Sequence, residues 1–126
     1  MQRNFQKRGN VKYMIICICC SSKYFKEIEK LTEKYKDIKF LIPDLNYQGP
    51  LDEKAREKLA LKHFKKINQS DFVYLYNPDG QIGNSCAFEI GYALAKGKKI
   101  FSFAKIKDKG ISGFVKTKSL KSFLNF

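Results

Sequence analysis

The sequence predicts an α/β fold, in which helices cover both faces of a parallel β-sheet. Two observations carry that prediction. Residues 13–20, "YMIICICC", form a continuous apolar run with no polar alternation, as expected of a strand buried on both faces. Similar short runs then alternate along the chain with longer stretches of helical spacing, the order that builds strand–helix–strand crossovers. The 126 residues suffice for one domain around one core, and neither a repeat nor a break in composition divides them.

Each element can be justified in order. The first twelve residues, "MQRNFQKRGNVK", read as a flexible basic tail. After the strand at 13–20, Ser21 and Ser22 offer capping hydroxyls to "KYFKEIEKLTEKY", where Phe25, Ile28, Leu31 and Tyr35 recur at helical intervals. "IKFLI" (38–42) is a second short strand, ended by Pro43, and "PDLNYQGP" has the composition of a loop. A long helix is expected from about Leu51 to Asn68, with Ala55, Leu59, Ala60, His63, Phe64 and Ile67 on one face. "DFVYLY" (71–76) is a third strand, and "NPDGQIGNS" a glycine-containing loop. A third helix follows, with Gly97 at its left-handed C′ position. "KIFSFA" (99–104) is a fourth strand, and the remaining residues suggest a loop, a short extended piece and a terminal helix. Right-handed crossovers make this a flavodoxin-like or Rossmann-like three-layer sandwich with a parallel sheet of four to five strands. In such a sheet the loops Cys20–Lys23, Pro43–Pro50 and Asn77–Ser85 converge beyond the carboxyl ends of the strands, where ligands bind.

Composition narrows the partners. With 25 Lys and Arg against 12 Asp and Glu, the formal charge is +13, which favours anionic ligands. The lysines are spread through every segment, so no concentrated nucleic-acid patch is expected. The basic start and the apolar run have the outline of a signal peptide, but that run is needed as a strand. A cytoplasmic location is therefore expected, with no membrane span. Cys17, Cys19, Cys20 and Cys86 read as buried free thiols. One histidine and no CxxC pair argue against a structural zinc site, so neither metal nor cofactor is expected.

The chemistry centres on "IGNSCAFEIGYALAKGKK", in which Glu89 is the only acid. A carboxylate among apolar neighbours is costly unless something compensates it. Ser85 precedes it by four residues, one too many for a capping box, and no cation lies three or four residues away on the helix. If Asn84 or Ser85 caps the helix, Glu89 ends the first turn, where the helix dipole favours the ionised form. Gly91, costly inside a helix, suggests close packing against a strand. The glycines before the helix suit phosphate or carboxylate oxygens, or simply a turn. His63 stands on the apolar helix face as either a packed residue or a proton donor.

The stretch "HFKKINQSDFVYLYNPDGQIGNSCAFEIGYALAKGKKIF" resembles the nucleoside 2-deoxyribosyltransferase-like superfamily, with an Asp-opened strand, a glycine-containing loop and a helix bearing "EIGYA". The resemblance implies that Glu89 is the nucleophile at C1′ of a (deoxy)ribosyl group. It implies a covalent glycosyl-enzyme, resolved by a second base or by water. Eight residues before Asp71, where characterised relatives carry a second acid, this chain has His63, and it resembles a branch with His there and "N-P-x-G-x-I-G-x-S" in the loop. His63 is then the donor to the departing base. On the same grounds Ser21 and Lys23 are expected at a 5′-phosphate, and Asn77, Gly80, Gly83, Asn84 and Ser85 around the substrate. The implied partner is a nucleoside or nucleotide, and the implied assembly a homodimer or larger homo-oligomer. The alternative is a non-catalytic nucleotide-binding or sensor protein on the same fold.

Overall fold

The computed structural model of the chain describes residues 6–8 and 11–124. Strands β1 (Gln6–Arg8) and β2 (Val11–Cys20) form an antiparallel pair. Helices and strands then alternate: α1 (Phe25–Lys34), β3 (Ile38–Leu41), α2 (Glu53–Gln69), β4 (Phe72–Tyr76), α3 (Asn84–Ala95) and β5 (Lys99–Ser102). A short α4 (Lys109–Ser112), β6 (Lys116–Thr117) and a 3-10 turn (Leu120–Leu124) follow.

Strands β3, β2, β4, β5 and β6 lie side by side in that order, all parallel. This is the expected doubly wound sheet, with β6 as its fifth parallel strand. The basic tail expected at 1–12 needs correction. Gln6–Arg8 pair with Val11–Tyr13, because β2 begins three residues before β3 can pair with it and its backbone groups need a partner. Residues 1–5, 9 and 10, the rest of that expected tail, lie outside the described residues.

Alternation along β2 divides the core into two layers. Met14, Ile16, Ile18 and Cys20 face α1 and the C-terminal turn, packing with Ile28, Phe72, Tyr74, Phe101 and Phe123. Cys17 and Cys19 face α2 and α3, beside Ile67, Val73, Leu75 and Ile90. Each fully buried isoleucine contributes about 1.5–3 kcal/mol. Asp71 ties β4 to β2: its carboxylate accepts from the Ile15 N–H at 2.8 Å, and its own N–H donates to the Ile15 carbonyl at 2.8 Å. That is the structural role expected of a strand-opening Asp.

Helix ends follow local chemistry. Asp52 caps α2 by accepting from the Ala55 N–H at 2.9 Å. Gly97 ends α3 at φ +72°, where its N–H donates to the Leu94 carbonyl, as predicted. Two expectations about α3 fail. Its N-cap is Gly83, not Asn84 or Ser85, so Glu89 is the sixth helical residue and lies beyond the first turn. Gly91 is exposed, and a Cβ built there meets nothing within 4 Å, so it permits no close strand packing. No helix among the described residues is long and apolar enough to cross a membrane.

Candidate functional site

The strand order reverses between β2 and β4, so the crevice for a ligand opens at their carboxyl ends, Cys20 and Tyr76. A cavity of about 520 Å³ occupies this place. All three expected loops reach it, through Ser21, Pro43 and Gly83 among others, and α2 forms a wall. Its volume falls within the usual range for small-molecule sites.

Two helices place the reactive side chains. His63 and Ile67, four residues apart, form the buried stripe of α2. Cys86, Ile90 and Ala93 form that of α3, with Glu89 at its edge. Phe64 stacks on Tyr92 at 4.1 Å with only 6° between the ring planes, and contacts Phe88 at 5.3 Å. These rings clamp α2 to α3 and so hold His63 opposite Glu89. The His63 Nε2 to Glu89 Oε2 distance is 3.7 Å, with the two side chains only 5% and 16% exposed.

The thiols of β2 complete the group. Cys19 Sγ lies 3.4 Å and Cys17 Sγ 3.6 Å from the same Nε2. Burial raises the Glu89 carboxyl, and the His63 charge opposes that rise without cancelling it. Burial lowers the His63 imidazole, but its bond to Cys17 and the charges of Cys17 and Glu89 outweigh this, leaving the net direction upward. The Cys19 thiol holds Cys17 down, to about 6, against its burial and with help from His63. The structure therefore pairs an acid group and a base group whose buried forms support each other's charge.

The other expected residues separate into two sets. Ser21, Gly83, Asn84 and Ser85 line the cavity with His63 and Glu89, and the Ser21 hydroxyl makes no helix-capping bond. Lys23 and Asn77 do not; they border a smaller cavity of about 190 Å³ next to it. Lys23 is paired with Asp79 at 2.7 Å. The Asn77 amide is spent on the backbone of Ala104, donating to its carbonyl at 3.1 Å and accepting from its N–H at 2.9 Å. Gly80 lines neither cavity; it sits in a turn at φ +75°, where a Cβ would come within 3.1 Å of the Lys105 carbonyl. Asn77 and Gly80 shape the loop through these contacts.

Several lining residues escaped the sequence reading. Arg56, Lys62 and Lys66 from α2 bring positive charge to the cavity wall, and Asp44 a second carboxylate, ion-paired with Lys62 at 3.0 Å. Lys66 lies one helical turn after His63, a spacing that would have revealed it. Cys17 and Cys19 were legible too, because residues two apart on a strand share a face.

Comparison with solved structures agrees with this architecture. The chain matches the 2-deoxyribosyltransferase of Bacillus psychrosaccharolyticus with a TM-score of 0.62, covering 89% of this chain and 91% of that one at 16% identity. The fold is 2-deoxyribosyltransferase-like. A conserved protein from Enterococcus faecalis V583 matches with a TM-score of 0.55 at 22% identity, over 71% of this chain; the chain spans 62% of that protein's length. At such identities the likeness establishes the fold alone. No protein-family model matches the chain, and no curated protein sequence matches it significantly.

Proposed function

We propose that the chain breaks N-glycosidic bonds of nucleosides or nucleotides, with Glu89 as nucleophile and His63 as proton donor. The observation that carries this reading is the 3.7 Å approach of His63 to Glu89 on the wall of a ligand-sized cavity at the sheet's switch point. The fold shared with a 2-deoxyribosyltransferase supports it, as does the "EIGYA" motif that supplies the glutamate. The branch with His in place of the second acid is part of the same proposal.

In the first step the Glu89 carboxylate attacks C1′, forming a glycosyl ester as the C1′–N bond breaks. The bond's electron pair leaves with the base, which takes a proton from His63. The Nε2 of the imidazole meets Cys17, Cys19 and Glu89. In the second step a free base or water attacks C1′, Glu89 is released as carboxylate, and a proton returns to His63. Two displacements retain the anomeric configuration. Ser21, Gly83, Asn84 and Ser85 surround the sugar, while Arg56, Lys62 and Lys66, which line the cavity as Lys23 does not, suit a phosphate. A homodimer or larger homo-oligomer belongs to the proposal, and sedimentation velocity measures it.

The test is chromatography of a panel of nucleosides and nucleotides incubated with the protein, with and without a second free base. Base exchange identifies a transferase and release without exchange a hydrolase. Nucleotide binding with no base released over hours overturns the proposal and leaves the non-catalytic binding protein in its place.

A further inference from the structure

The proposed reaction uses His63 and Glu89 but gives no task to the two thiols against His63. Cys17 and Cys19 are completely buried, project from one face of β2, and meet the imidazole that α2 carries. Cys17 Sγ, Cys19 Sγ and His63 Nε2 all lie within 4.8 Å of one another. The two sulfur–nitrogen distances are 3.6 and 3.4 Å. A tetrahedral zinc ion with bonds of about 2.0–2.3 Å needs ligand–ligand edges of about 3.3–3.8 Å, so both distances already fit. The Glu89 Oε2 to Nε2 distance of 3.7 Å has the same length.

From this geometry we infer that Cys17, Cys19 and His63 form a binding site for a thiophilic divalent cation of the zinc type, with Glu89 next to its open coordination position. Two sulfur donors and one imidazole select such an ion over magnesium or calcium, which take oxygen ligands. Binding leaves both sulfurs as thiolates and His63 neutral, and whatever protons the three groups carry pass to solvent. Two thiolates balance the charge of the ion. The cavity that His63 and Glu89 line supplies the route of entry. Because the ion takes Nε2 and adjoins the carboxylate, the metal-bound and glycosyl-transferring states exclude each other.

The test is titration of the chelator-treated, reduced protein with Co²⁺, read by absorption spectroscopy. One equivalent should give a thiolate-to-cobalt charge-transfer band with tetrahedral ligand-field bands, and one equivalent of Zn²⁺ should bleach both. Cys17→Ser, Cys19→Ser and His63→Gln, shown by circular dichroism to be folded, should lose the charge-transfer band or bind at least about 10-fold more weakly. Cys20→Ser combined with Cys86→Ser leaves only the two assigned thiols and should keep the full spectrum. No stoichiometric band in the wild-type protein overturns the site. So does a band that survives unchanged in folded Cys17→Ser and Cys19→Ser, or one that disappears in folded Cys20→Ser/Cys86→Ser. The readout is metal coordination, so its failure is distinct from failure of the glycosidic reaction.

Discussion

The two faces of β2 have taken opposite courses. On one, Met14, Ile16 and Ile18 meet an aromatic layer of Phe72, Tyr74, Phe101 and Phe123, in which Phe101 and Phe123 approach to 5.1 Å. On the other, one residue along in each case, Cys17 and Cys19 meet a histidine and, beyond it, a glutamate. The first face is largely apolar, and its buried Tyr74 hydroxyl donates to the Lys118 carbonyl at 2.6 Å. The second offsets the cost of burying polar groups by setting them against one another. Stability and chemistry thus share one strand, separated only by the direction in which alternate side chains point.

Substitutions can break or sharpen that contrast, starting from the largest effect. Glu89→Gln should lower turnover by more than about 10⁴-fold while the protein stays folded, measured by base release and urea titration. Activity within a factor of a few of wild type would remove Glu89 from the reaction. His63→Gln should cost about 10²- to 10⁴-fold in kcat, and less with substrates whose leaving base needs no protonation. An equal loss across all leaving bases would argue against proton donation. Ile18→Ala, on the dry face, should cost about 2–5 kcal/mol in urea unfolding while a folded fraction keeps its kcat. A comparable loss of kcat in that fraction would blur the division between the faces.

The pH dependence follows from the directions of the shifts, in the metal-free protein. Glu89 must be ionised and His63 protonated, so the rate profile should be bell-shaped. Its acid limb should lie above the ordinary carboxylate value of 4.5, and its basic limb above the ordinary imidazole value of 6.5. For stability both shifts are upward. The contribution of each group is therefore fully present below its unfolded value and is lost as pH rises through its folded value. Glu89→Gln should flatten the part of that decline that starts near 4.5, as measured by thermal unfolding across pH. The smallest effect is expected at Gly91, exposed in the middle of α3. Gly91→Ala should stabilise by about 0.5–1 kcal/mol, because nothing opposes the added methyl.

Much of this arrangement was legible in the chain. The unbroken run at 13–20 had to be a strand covered on both sides, and Asp71 had to open another, since both readings rest on local pattern. The candidate nucleophile was visible because Glu89 fitted neither a capping box nor a helical ion pair. The cations expected at a phosphate were less legible. Lys23 follows Ser21 on the expected loop but is captured by Asp79, 56 residues away, an ion pair that no local pattern announces. The bonds of Asn77 were hidden for the same reason, as its amide meets the backbone of Ala104, 27 residues on. Zinc was set aside on a single histidine and the lack of CxxC spacing, and neither pattern reports that alternate cysteines on a strand share a face.

By itself, then, the sequence determined the order of strands and helices, the two-sided burial of β2 and the isolation of Glu89 on its helix. These depend on hydrophobic period and local geometry, which act between near neighbours. Only the tertiary structure decided what Glu89 faces. His63, Cys17 and Cys19 come together because α2 and α3 cross the same face of the sheet beside β2, and their contact joins residues 44 to 46 positions apart. Proximity of that kind comes from packing two helices on one sheet, and no spacing along the chain encodes it.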